Sequence, residues 1–228
     1  MSTADGATSP RERLLQAARD VVATEGLEGL TLRAIARRAG VSHGAPLRHF
    51  PTLAALLAAV AADGFARLIG TVEAVLADAD EAAAARDDRL DARQRLAVAG
   101  QAYVRFALAD PGVFTVTFRP ERVDVSDAGY QMQGFASFLQ LVDLVKAAQA
   151  DGWRAGERPE VLATVLWANV HGVAELTLHG ALPGVVGDDA VGRVLALSMA
   201  LALDVDPSTI PGLDPTDPRA PTIEGDTR

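Results

Sequence analysis

Residues 31–57 read TLRAIARRAGVSHGAPLRHFPTLAALL. After Thr31, the residues Leu32, Ile35, Ala36 and Ala39 fall on one helical face, Arg33, Arg37 and Arg38 fall off it, and Gly40 closes the segment. A helix-turn-helix needs a small residue where its two helices touch and, four positions later, a glycine able to take a positive φ. Ala36 and Gly40 have that spacing. The next segment, from Ser42 to Phe50 and closed by Pro51, would present Ser42, His43, Gly44 and Ala45 to a DNA major groove, with Arg48 one turn later. Pro46 requires that this helix begin near Gly44 or Ala45, since a proline further in would remove a hydrogen bond. On spacing alone, the same pattern also fits an ordinary corner in an α-bundle.

Outward from this stretch the chain reads as helix throughout. Ser9-Pro10-Arg11-Glu12 is a capping box with proline at the first helical position. Leu14, Ala18, Val21 and Val22 then recur at helical spacing, and Gly26 is the stop. From Thr52 a longer amphipathic helix carries Leu53, Leu56, Leu57, Val60, Leu68, Val72 and Val75, and is expected to fray over 78–93. Further helices are expected over about 94–109, broken by Asp110-Pro111-Gly112, then over 128–150, 159–179 and 189–204. No period-2 run predicts a sheet. The 44 alanines among 228 residues favour the same all-α class. The expected divisions are a disordered N-terminus (1–8), a head (9–51), a helical body (52–204, with 52–78 as connecting helix) and a proline-rich disordered tail (205–228).

Composition narrows the function. The net charge is −9, but residues 29–62 contain no Asp or Glu, while Arg33, Arg37, Arg38 and Arg48 lie there. Residues 1–50 hold seven arginines against five acids, whereas the remainder carries a net −11. An acidic body repels nucleic acid, so any phosphate contact should come through the N-terminal arginines. The absence of cysteine excludes disulfides, thiolate metal sites and cysteine nucleophiles. Met1 to Pro10 include Asp5 and no apolar run, and the longest uncharged run, 128–142, is short and glutamine-bearing. The expectation is a soluble, cytoplasmic chain with no membrane partner.

The stretch 31–57 resembles the DNA-binding domain of tetracycline-repressor-like (TetR family) regulators. Thr31, Arg33, Ile35, Ala36, Ala39, Gly40, Val41, Ser42, Gly44, His49 and Phe50 match the family pattern, and the likeness to that half covers about 9–65. The second half is similar to a subgroup named for a Trp-His-Gly signature, here Trp167, His171 and Gly172; Tyr103 to Pro111 and Ala45 to Pro51 resemble the same subgroup. The resemblance implies an all-α protein with a three-helix helix-turn-helix head and a helical bundle for ligand binding and dimerisation. It implies a DNA-binding transcriptional regulator, a repressor on a palindromic double-stranded operator, released by a small, largely apolar effector. The homodimer would form through helices 159–179 and 189–204.

Candidate DNA contacts are Arg33, Ser42, His43 and Gly44, followed by Ala45, Arg48, His49 and Thr52. Phe50 reads as a core plug. Tyr103, Phe106, Phe118, Phe135 and Phe138, with Trp167 and His171, are the residues available to line an effector cavity. Two positions depart from the family: Leu47 stands where a phosphate-bonding tyrosine is usual, and Leu53 where a lysine is usual. Leucine can do neither job, so a ligand-binding or scaffolding helical dimer with weakened DNA binding is the competing reading. His171, Glu175 and His179 share one helical face, a spacing that suits a metal. Gly172 beside His171 instead suggests close helix packing, so neither metal nor cofactor is expected. No nucleophile motif or cofactor loop supports an enzyme.

Overall fold

A computed structural model describes residues 9–27, 29–42, 45–187 and 191–210. Among them are ten α-helices and no strand, as the sequence predicts: α1 (Pro10–Glu25), α2 (Leu32–Arg38), α3 (Ala45–His49), α4 (Leu53–Ala84), α5 (Ala92–Ala109), α6 (Pro111–Thr117), α7 (Ala128–Ala150), α8 (Pro159–Leu178), α9 (Ala181–Val186) and α10 (Val191–Leu203), followed by a 3-10 turn at Pro207–Thr209. The chain forms two compact units, one of residues 1–66 with 110–134 and the other of 67–109 with 135–228.

In the first unit, local sequence signals set the helix ends. The Ser9 N–H donates to Glu12 Oε2 (2.7 Å) while the Glu12 N–H donates to Ser9 Oγ (3.2 Å), the reciprocal pair expected of a capping box. Leu14, Ala18, Val21 and Val22 are buried, and Gly26, at φ 68°, donates to the Val22 carbonyl. Thr31 Oγ1 accepts from the Ala34 N–H at the start of α2. At the other end Gly40 takes φ 63°, and the N–H groups of Val41 and Gly40 reach the carbonyls of Ala36 (3.1 Å) and Arg37 (3.3 Å). That pair of bonds satisfies carbonyls that the end of the helix would otherwise leave open, and the left-handed residue between them is the reason for a glycine.

The triplet Asp110-Pro111-Gly112 ends α5, as expected, but it also begins α6, which the sequence reading lacks. Asp110 Oδ1 accepts from the Val113 N–H (3.1 Å) and Pro111 occupies the first turn. Glycines bring α6 close to its neighbours. A Cβ on Gly112 would lie 3.1 Å from the Ala23 backbone nitrogen of α1, and one on Gly64 of α4 would lie 2.2 Å from Thr117 Oγ1. Phe65 stands edge-on to Phe118 (5.5 Å) and near Tyr130 (5.8 Å). The α6–α7 connection is tied to the same unit: Arg122 donates to the Leu27 carbonyl (3.1 Å), and the Asp124 N–H donates to the Ala54 carbonyl (3.0 Å).

In the second unit α5 packs on α8 and α10, which also pack on each other. A Cβ on Gly100 would meet Met199 Cε at 2.9 Å, and Ser198 Oγ donates to Asn169 Oδ1 at 3.0 Å. Four sequence expectations change here. The long helix runs to Ala84 instead of fraying from 78, held in part by an Arg95–Asp80 ion pair. The next helix begins at Ala92, with Asp91 Oδ1 accepting from the Gln94 N–H. A short helix, α9, follows Gly180. Residues 205–210, expected in the tail, fold back: Gln94 donates to the Thr209 carbonyl (2.9 Å) and Ile210 is 1% exposed. The expected disordered segments 1–8 and 211–228, and the expected helix start at 189–190, lie outside the described residues.

α4 and α8 are long and apolar enough to cross a membrane by length and composition. α4 buries Leu56, Leu57, Val60, Leu68, Val72 and Leu76 in protein and carries Asp63 and Arg67 at mid-length, as core helices do.

Candidate nucleic-acid interface and a polar cluster in the second unit

α3 has an inner and an outer side. Pro46 and Phe50, four residues apart, are buried, with the Phe50 N–H donating to the Pro46 carbonyl (2.7 Å). Phe50 plugs the core as expected, and the Arg11 guanidinium lies 5.2 Å from its ring centroid. The three residues between them, Leu47, Arg48 and His49, are exposed. Starting the helix at Ala45 puts Pro46 in the first turn, where its missing N–H costs nothing.

Arg33 and Arg37 of α2 are exposed and, with Thr31 and Ala34, line one shallow surface groove. Arg37 is absent from the candidate contacts drawn from sequence, although its i, i+4 spacing from Arg33 is the signal that joins them. Arg38 turns the other way, toward Asp20 (3.8 Å) and Glu25 (3.9 Å) of α1. Among the described residues Arg33, Arg37 and Arg48 form no ion pair. Their charge is therefore available to an external anion, in a stretch without acids.

Ser42 is exposed; His43 and Gly44, and the side chain of Ala45, lie outside the described residues. Thr52 is exposed, but its Oγ1 accepts from the Ala55 N–H (3.0 Å) and so starts α4. Leu53 is half-buried.

The seven aromatic and histidine candidates are distributed over both units. Phe118 belongs to the first unit, against Phe65 and Phe114. Phe135 is 63% exposed and Phe138 half-buried on α7. Phe106 is buried in α5. Tyr103, Trp167 and His171 do come together: Trp167 Nε1–H donates to the Tyr103 oxygen (3.2 Å), and that hydroxyl lies 2.8 Å from His171 Nδ1. Burial lowers the His171 pKa and favours the neutral ring, an effect that nearby Glu175 opposes. Burial also pushes Tyr103 far above the usual phenol range. In the neutral tautomer that carries its proton on Nε2, 3.8 Å from Glu175 Oε1, Nδ1 accepts the Tyr103 O–H. Glu175 also holds His179, whose Nδ1 lies 2.7 Å from its carbonyl and 3.3 Å from Oε2.

Close packing at Gly172, expected from its place beside His171, does not occur within the protomer, because a Cβ there would meet nothing within 4 Å. It lies instead on an open stripe of α8 formed by Val161, Val165, Ala168, Gly172 and Leu176, spaced to share one face. Val165 is 57% exposed, and Leu201 of α10, one turn after exposed Leu197, is 78% exposed.

Comparison with known proteins agrees with this geometry. Residues 14–60 match the family model described as bacterial regulatory proteins, tetR family, and residues 96–199 match that for a tetracyclin repressor-like C-terminal domain. The chain belongs to the TetR family of transcription regulators. A protein with unknown function from Rhodococcus sp. RHA1 is 33% identical, with a TM-score of 0.71 over 89% of this chain and 98% of its own. A putative tetR family transcription regulator from Shewanella sp. PV-4 has the same fold at 18% identity (TM-score 0.63; 86% and 97% covered). So does a TetR family transcription regulator from Marinobacter aquaeolei VT8 at 17% identity (TM-score 0.62; 86% and 94% covered). No protein of curated function matches the sequence significantly.

Proposed function

We propose that this chain is a cytoplasmic homodimeric repressor that binds a near-palindromic operator and is released by a small, largely apolar effector. The observation that carries the reading is that Arg33, Arg37 and Arg48 of the corner are exposed and form no ion pair among the described residues, on an otherwise acidic chain. Residues 9–51 serve as the reading head, with α3 in the major groove and Ser42, His43, Gly44, Ala45, His49 and Thr52 near the backbone or bases. Residues 52–204 serve ligand binding and dimerisation. Tyr103, Phe106, Phe138 and Trp167, with His171, are the effector-facing candidates, together with Phe118 and Phe135. Trp167, His171 and Gly172 support a reading of the chain as a member of the Trp-His-Gly subgroup.

The dimer face is the open stripe of α8 with Leu197 and Leu201 of α10. Small residues at Ala168 and Gly172, flanked by larger apolar ones, suit close approach of a second copy's helices, and a two-fold axis would make the patch self-complementary. Two heads then read half-sites about 34 Å apart. Effector binding favours a head spacing that misfits adjacent grooves. Leu47 and Leu53 favour a second reading, a ligand-binding dimer with weak DNA affinity, since neither can bond a phosphate.

The test is recovery of fragmented genomic DNA from the protein's own host by the purified full chain. Enrichment of one or a few near-palindromic sites supports the repressor. Recovery of no site above background contradicts it and favours the ligand-binding dimer.

A further inference from the structure

Leu47 is 60% exposed, the only apolar side chain among the three that α3 turns outward, and it sits directly beside Arg48. An exposed leucine does not bond phosphate or water, and its side chain contributes only through apolar contact. Arg48 beside it and the exposed Arg33 and Arg37 of α2, which packs on α3, with no acid from 29 to 62, make the head complementary to a polyanion. On duplex DNA the phosphates and sugars are polar, and the major groove offers one large apolar group, the C5-methyl of thymine. We infer that Leu47 is a specificity-determining residue that reads a thymine methyl in each operator half-site. This rests on the DNA-binding reading above and deepens it: the outward leucine adds a sequence-dependent contact beside the sequence-blind phosphate contacts open to the arginines.

The geometry of α3 supports the assignment. Pro46 and Phe50 anchor the inner side. At 100° per residue Arg48 then points most directly outward, with Leu47 and His49 on its two flanks. A flanking position reaches the base pair next to the one read by Arg48, so the thymine should adjoin the guanine or phosphate that Arg48 contacts.

The test is made on the full chain. The best duplex is selected from a random-sequence pool, and each dT is then replaced singly by dU, which removes the methyl and keeps the pairing edge. The expected result is a loss of about fourfold in affinity at one thymine of each half-site, the worth of one buried methyl-sized group. Because the substitution is present in both subunits, Leu47→Ala should bind the original duplex as weakly as the wild type binds a duplex carrying dU at that thymine in both half-sites, and should be indifferent to either replacement. Leu47→Met should keep the discrimination. Because Leu47 is exposed, all three proteins should melt alike. Selective binding by a wild type that ignores every dT→dU change overturns this inference alone, as does discrimination that survives Leu47→Ala. A pool that yields no enriched duplex overturns the DNA-binding reading and this inference with it.

Discussion

The Cβ that Gly64 lacks would stand 2.2 Å from Thr117 Oγ1 and 2.9 Å from Val113 Cγ1, so α4 and α6 touch where α4 has no side chain. Thr117 is fully buried, and its hydroxyl donates to the Val113 carbonyl, which holds the oxygen in place. Gly64→Ala should therefore destabilise the protein by about 1–3 kcal/mol even though alanine is the better helix former. A denaturant midpoint at or above the wild type's would show that α6 yields at no cost.

The capping box predicts a smaller loss. Ser9→Ala removes the acceptor for the Glu12 N–H and should cost about 1 kcal/mol by chemical denaturation, while Ser9→Asp should restore most of it. Equal stability of Ser9→Ala and wild type would mean that the first turn of α1 is held by packing alone.

His171 predicts a pH dependence. Its folded pKa is lowered below the ordinary value of 6.5, so the unfolded chain binds the proton more readily. The contribution of the neutral ring is complete above about pH 6.5, declines as pH falls below that value, and levels off below the lowered folded pKa. Thermal melts between pH 7.5 and 5 should fall more steeply for wild type than for His171→Asn, whose side chain does not titrate. Parallel curves would contradict the Tyr103–His171 arrangement.

How much of this is legible in sequence depends on range. The Ser9–Glu12 box, the Gly26 stop and the Ala36–Gly40 corner are readable because each is closed by atoms a few residues apart. Asp110-Pro111-Gly112 misleads because a capping Asp followed by Pro starts a helix as well as it ends one. The seven pocket candidates share an aromatic signature, but only the fold assigns Phe118, packed on Phe65, to the first unit and Tyr103, bonded to His171 across 68 positions, to the second. Ile210 reads as tail because its proline-rich surroundings hide a single buried anchor. The open stripe at Gly172 shows that a helical glycine does not by itself signal close packing within the chain.

That stripe predicts an assembly. Val165→Asp places a charge at the centre of the proposed dimer face, on a side chain already exposed in the protomer, so it should leave the fold intact. Sedimentation should show a dimer for wild type and a monomer for the variant. A dimer in both would move the interface elsewhere.

The central claim is that the arginines of the head read DNA. It is tested most directly by fluorescence anisotropy of the full chain on the recovered genomic site and on the DNA flanking its own gene, each against a shuffled duplex, from low to physiological salt. The expected result is selective binding whose logarithm falls linearly with that of salt concentration, with Arg48→Ala weaker and, where Arg48 meets phosphate, shallower in slope by about two, one for each subunit of the dimer. Binding no tighter than to shuffled DNA at every salt, unchanged by Arg48→Ala, would contradict it.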